Sequence, residues 1–116
     1  MVARIRVTML ALLPALLASC SAISPSREGE SVELVTEKPA GNCKQLDRAI
    51  GSQGNWLTGD YTPSKDLFLG ARNDLRNKAA EMGGNTVWVY DTGKTNARHS
   101  RGTTNSTVSG IVYRCE

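Results

Sequence analysis

The chain has 116 residues, room for one small domain with a thin core. Charged residues make up 22% and hydrophobic residues 40%, a globular composition that excludes a disordered chain, while 5% aromatics leave few anchors for burial or stacking. The formal charge of +3 falls to +1 once Arg4 and Arg6 of the leader are set aside, and no stripe of Lys and Arg interleaved with aromatics occurs, which argues against nucleic acid as a partner.

Residues 1–19 read as a signal peptide. Arg4 and Arg6 give a basic start, and the apolar run from Val7 to Ala18 has the length of a signal-peptide core and is too short to span a bilayer. The run closes on Leu17-Ala18-Ser19-Cys20, which resembles the lipobox of bacterial lipoproteins. The resemblance implies lipidation of the Cys20 thiol, cleavage before it and acylation of the new amino group. Each buried methylene adds roughly 0.8 kcal/mol, so several acyl chains hold a protein where one holds it only marginally. Ser21, in place of the Asp that favours retention in the inner membrane, points to a lipid anchor in the outer membrane facing the periplasm. The alternatives are an ordinary signal peptide followed by an incidental cysteine, or an uncleaved anchor.

Residues 20–31 read as the lipidated cysteine and a flexible tether, rich in Ser with Pro25 and Gly29 and lacking any apolar period. The folded domain is expected over 32–116. "SVELVTE" reads as a first strand. "CKQLDRAIG" reads as a second, with Leu46, Arg48 and Ile50 on one side and Gln45, Asp47 and Ala49 on the other. The loop "SQGNWLTGDYTPS" follows. "DLFLGARNDLRNKAAEM" is the one clear helix, with Phe68, Ala71, Leu75, Ala79 and Met82 recurring at three- and four-residue steps. Thr62 with Pro63, or Ser64, can cap its start, and Gly83-Gly84 supplies a left-handed stop. "NTVWVYD" is a third strand, "TGKTNARHSRGTTNS" a polar loop and "TVSGIVYRC" a fourth strand. The expected fold is α+β: a small four-stranded sheet with one helix on one face, in the order strand, strand, helix, strand, strand.

If the helix is a crossover, strands two and three run parallel and strand four runs against both. Cys43, at the start of strand two, and Cys115, at the end of strand four, then share one edge of the sheet. In an oxidising compartment they are expected to form one structural disulfide. His99 is the chain's single histidine and has no close cysteine spacing, so a zinc site is not expected, nor is any cofactor.

"AGNCKQL", "GSQGNWLTGDYT", "GARNDLRNKAAEMGGNTV" and the terminal "YRC" resemble the small YjeI-like lipoproteins of Gram-negative bacteria, a family defined by a domain of unknown function. The likeness runs from about Val32 to Cys115 and includes the lipobox. The helix, Gly-Gly and strand arrangement is more distantly similar to the Rcs-phosphorelay sensor lipoprotein, an outer-membrane envelope-stress sensor with a small disulfide-bonded domain. The resemblance implies a fold and a location, and no activity.

Candidate site residues follow from the aromatics. Trp56, Asp60 and Tyr61 sit together on a Gly-containing loop, which reads either as a binding loop for a glycan or protein partner or as a plug over the sheet. In the third strand Val87 and Val89 should meet the helix, so Trp88 and Tyr90 face away and form a partner surface if nothing covers them. Lys94, Arg98, His99 and Arg101 lie on a loop without an acid, which suits an anionic surface or plain solvation. On the helix, Arg72, Asp74, Arg76, Asn77, Lys78 and Glu81 read as surface charge. "NDLRNKA" superficially resembles peptidoglycan-binding helices that hold a diaminopimelate carboxylate with Asp and Arg, without their flanking motif. No His–carboxylate pair, nucleophile elbow or phosphate loop is present. The expected role is therefore a non-enzymatic binding or accessory module of the cell envelope. The alternatives are a stress-sensor-like signalling lipoprotein or a peptidoglycan-binding module.

Overall fold

The structure, a computed structural model, describes residues 22–54, 64–95 and 105–116. In chain order a 3-10 turn Gly29–Ser31 is followed by β1 (Glu33–Val35), β2 (Cys43–Gly54), α1 (Ser64–Glu81), β3 (Thr86–Thr95) and β4 (Asn105–Cys115). The four strands form one mixed sheet in the order β1-β3-β4-β2. β1 runs parallel to β3, and β4 runs against both β3 and β2. The four-stranded sheet, the single helix and the disulfide match the sequence reading. The element order departs from it by the 3-10 turn ahead of β1.

Helix α1 packs chiefly on β2 and β4. Leu67, Ala71, Leu75 and Ala79 are fully buried and recur every four residues, so one straight ridge faces the sheet. The expected stripe of Phe68 and Met82 is corrected at both ends. Phe68 is only partly buried, and Met82 lies past the last helical turn and is exposed. The ridge meets Val32, Ala49, Val87, Val108 and Val112 to form the core. A methyl group on Gly51 would strike the Ala71 carbonyl and the Leu75 amide, so the two backbones touch there, and only glycine allows it. The helix ends as expected. Gly83 has φ +84°, its N–H reaches the Ala80 carbonyl at 3.0 Å, and Gly84 N–H reaches the Ala79 carbonyl at 2.9 Å, a Schellman stop.

Two β-bulges interrupt the ladders, and the one in β2 corrects the expected faces of that strand. In β2 the register against β4 shifts between Gln45 and Arg48, so Leu46 and Ala49 both turn to the core while Ile50 points away and is half exposed. Strict alternation had set Leu46 beside Ile50. In β3 the shift lies between Val89 and Asp91. The strands also run further than expected. Ser52 to Gly54, Thr92 to Thr95 and Asn105 to Ser106 had read as loop, yet they pair through the backbone.

The expected boundary near Val32 and the free tether before it are also corrected. Residues 22–31 lie along the helix. The Ile23 N–H donates to Gln53 Oε1 at 2.6 Å, and Asn73 Nδ2 donates to the Ile23 carbonyl at 2.8 Å. Asn77 receives the Ser26 N–H on Oδ1 at 2.7 Å and donates from Nδ2 to the Ser24 carbonyl at 3.2 Å. Asn73 stands two positions from Ala71 and from Leu75, about 200° around the helix, so this segment covers the side away from the sheet. Asn73 is accordingly buried.

Cys43 and Cys115 are register partners at the end of the β2–β4 ladder and form the disulfide, 72 residues apart in sequence. Asn85 brackets this rung. Its Oδ1 accepts the Cys115 N–H at 2.8 Å and its Nδ2 donates to the Cys115 carbonyl at 2.7 Å. Closing a loop of this length stabilises a fold by roughly 4 kcal/mol in the chain-entropy model. Replacing both cysteines with Ser is expected to lower the unfolding free energy by about that amount, read as a fall in the urea midpoint at unchanged slope. Gly51→Ala is expected to cost about 2–3 kcal/mol in the same assay. Gly93→Ala, where the methyl meets only the Thr107 hydroxyl, should cost less.

Candidate partner surface

The pleat sends Ala49, Gly51, Val87, Val89, Val108, Gly110 and Val112 toward α1. Arg48, Ile50, Trp88, Ile111 and Tyr113 therefore point to the opposite face. β1 and β2 lie at opposite edges of the sheet and run in the same direction, so residues 36–42 must cross from one edge to the other. They cross at the disulfide end. The Thr36 carbonyl accepts a hydrogen bond from Trp88 Nε1 at 3.3 Å, Cys43 Sγ lies 3.8 Å from the Ala40 carbonyl, and Glu116 N–H reaches the Asn42 carbonyl at 3.0 Å. At that end Tyr113 is buried, with no hydrogen-bond partner for its hydroxyl among the described residues.

Beyond this crossing, no helix or strand among the described residues lies on that face. Tyr90 is 45% exposed and Ile50 50% exposed, with Trp88 and Ile111 half-buried. The Trp88 and Tyr90 rings stand 6.1 Å apart between centroids at 59°, a tilted aromatic pair. The indole is fixed by its bond to Thr36 and by its neighbour, so it loses little rotamer freedom when another surface meets it. Arg48, exposed on β2 opposite Ile111, adds a cation to the patch. Of the residues read from the sequence, Trp88 and Tyr90 are brought together here. Cys20, Trp56, Asp60, Tyr61, Arg98, His99 and Arg101 lie outside the described residues. Sequence reasoning missed Arg48 and Ile50, because the β2 bulge turns them to this face at a point alternation does not reveal.

The helix charges have other partners. Asp74 Oδ2 accepts the Ser52 N–H at 2.9 Å and pairs with Lys78 Nζ at 3.1 Å, while Lys78 donates to the Ile50 carbonyl at 2.8 Å. These two side chains cap outward-facing backbone groups of the edge strand β2, which would otherwise offer a template to a foreign strand. Arg76 donates to Asn73 Oδ1 at 2.7 Å, and its pKa is lowered by burial first and by the Arg72 guanidinium second. The Asp and Arg of "NDLRNKA" are thus held by the fold.

On the helix side, α1 leaves the β1–β3 margin of the sheet uncovered. An apolar recess of about 180 Å³ opens there between Leu34, Phe68, Val89 and Val108, with the Arg72 guanidinium 5.7 Å from the Phe68 ring centre. A wider depression of about 590 Å³, open to solvent, lies between β1 and residues 36–40, with Glu33 and Glu37 in its lining. Among the described residues no group of three or more His, Cys, Asp or Glu side chains is arranged to hold a metal ion, and no helix is long and apolar enough to cross a membrane.

The model of the domain of unknown function DUF4156 matches residues 23–115. Its start coincides with Ile23, the first residue hydrogen-bonded to the helix. The chain is 39% identical over 101 residues to the uncharacterized protein YjeI of Escherichia coli strain K12 and to that of Shigella flexneri, covering 86% of each chain. No solved structure matches.

Proposed function

This chain belongs to the DUF4156 family, and from that premise we propose that it is an outer-membrane lipoprotein facing the periplasm whose domain binds another envelope component without catalysing a reaction. The anchor is Cys20, supported by the basic start, the short apolar run and the Leu-Ala-Ser-Cys quartet before Ser21. The binding surface is the sheet face opposite the helix, and the observation that carries it is the Trp88–Tyr90 pair, held by the Thr36 carbonyl and left uncovered by the described helix and strands beside Ile50, Ile111 and Arg48. Trp, Tyr and Arg are the residue types that dominate protein–protein hot spots, which favours a protein partner over a glycan. Asp74 and Arg76 are occupied by the fold, so nothing favours the diaminopimelate-binding reading.

The experiment is photocrosslinking in cells. A photoreactive residue at Tyr90 is expected to capture a defined envelope protein, and one at Glu81 on the helix is not. Trp88→Ala should reduce the Tyr90 capture about tenfold, the loss of roughly 1.4 kcal/mol, while the disulfide and the melting temperature persist. Equal capture by that variant defeats the surface. Mass spectrometry should find acylated Cys20 as the first mature residue, and Cys20→Ser should move the protein out of the membrane fraction.

A further inference from the structure

The two edges of the sheet are finished differently. On β2, Asp74 takes the Ser52 N–H and Lys78 reaches the Ile50 carbonyl, so outward backbone groups there are occupied. On β1 no strand or side chain among the described residues does the same. The Glu33 N–H donates to the Asn85 carbonyl at 3.0 Å, which turns the Glu33 backbone toward β3. Backbone groups alternate sides along a strand, so the N–H and C=O of Leu34 turn the other way, to the open edge. The usual guards of an edge are missing from β1 itself. Its three residues, Glu33 to Val35, include no proline and no lysine, and their register with Thr86, Val87 and Trp88 is unbroken.

The two sides of this edge differ in chemistry. Leu34 pairs with Val87 and shares its face, so the helix side of β1 borders the apolar recess of about 180 Å³ lined by Leu34, Phe68, Val89 and Val108. Arg72 lines the same recess, its guanidinium 5.7 Å from the Phe68 ring centre, and disfavours a cation there. Glu33 and Val35 pair with Thr86 and Trp88 and lie on the opposite face. There the depression of about 590 Å³ has Glu33 and Glu37 as its charged lining residues, both exposed.

A strand laid along β1 presents side chains with a period of two. The residue beside Leu34 sends its side chain to the recess, and the residues before and after it send theirs to the acidic side. We propose that the outer edge of β1 docks an extended segment of a partner protein in which one aliphatic residue is flanked on both sides by Lys or Arg. Its backbone pairs with the Leu34 N–H and C=O, its aliphatic side chain fills the recess, and its cations meet Glu33 and Glu37. The pairing supplies affinity, and the contrast between the two faces supplies specificity. This site rests neither on the lipid anchor nor on the Trp88–Tyr90 pair.

The test titrates the full chain with the end-capped peptide Thr-Lys-Leu-Lys-Thr and follows backbone amides by NMR. The Leu34 amide is expected to exchange with solvent about fivefold more slowly in the bound state. Thr-Lys-Gly-Lys-Thr, which leaves the recess empty, and Thr-Glu-Leu-Glu-Thr, which inverts the charges, should each bind about tenfold more weakly. Glu33→Lys with Glu37→Lys, at two exposed positions, should keep the melting temperature and exchange the preference, binding the Glu peptide better than the Lys peptide at low salt. Equal affinity for the three peptides overturns the proposal, as does binding that leaves Leu34 exchange unchanged. Slow Leu34 exchange in peptide-free protein that is dimeric at the same concentration gives the edge to a second copy of the chain and overturns it too.

Discussion

The contact on which the structure depends is the one between two backbones, Gly51 of β2 against Ala71 and Leu75 of α1. It draws the helix toward β2 and β4, so that among the described residues of α1 Phe68 and Arg72 are the ones that line the recess at the β1–β3 margin. It also brings Asp74 and Lys78 within reach of the Ser52 amide and the Ile50 carbonyl, and Gly70 within reach of Gln53. A side chain at position 51 would lift the helix and break these contacts together. In a domain of this size the core is small, and the helix polar groups add directional bonds where apolar area is limited.

The helix thus uses three of its sides. The ridge from Leu67 to Ala79 buries against the sheet, Asp74 and Lys78 hold the edge of β2, and Asn73 and Asn77 hold the N-terminal segment. Asparagine suits the last task because it offers both a donor and an acceptor to a passing backbone, as a neighbouring strand would. Asn85 does the same beside Cys115. Asn77 and Asn85 therefore stand in for strand pairing at places where no strand is available, while Asn73 gives the backbone only its donor and turns its Oδ1 to Arg76.

The helix, the Gly-Gly stop, the division of β3 between Val87/Val89 and Trp88/Tyr90, and the meeting of Cys43 with Cys115 were legible because each rests on a local rule: a period, a turn conformation, or strand direction. What escaped rests on relations between distant segments. One extra residue near Asp47 reverses the faces of β2 for Ile50, and composition does not mark a bulge. The polar stretches at Thr92–Thr95 and Asn105–Ser106 form strand through their backbones, with side chains that show no apolar alternation. Residues 22–31 read as tether for the same reason, since their attachment comes from asparagines fifty residues away.

The strand order also governs when the fold can close. The two edge strands, β1 and β2, are made early, and each pairs with a strand made later: β1 with β3, and β2 with β4, the last strand among the described residues. No rung of the sheet can form before residue 86 has emerged, and the last rung joins Cys43 to Cys115. During synthesis, before β3 is complete, the nascent chain therefore has α1 beside a β2 with no strand to pair with. Such non-local pairing is slow because loop closure precedes any reward from contacts. The domain acquires its sheet nearly all at once, when β4 is complete, and loss of the stretch around Cys115 removes the rung and the disulfide that tie the start of β2.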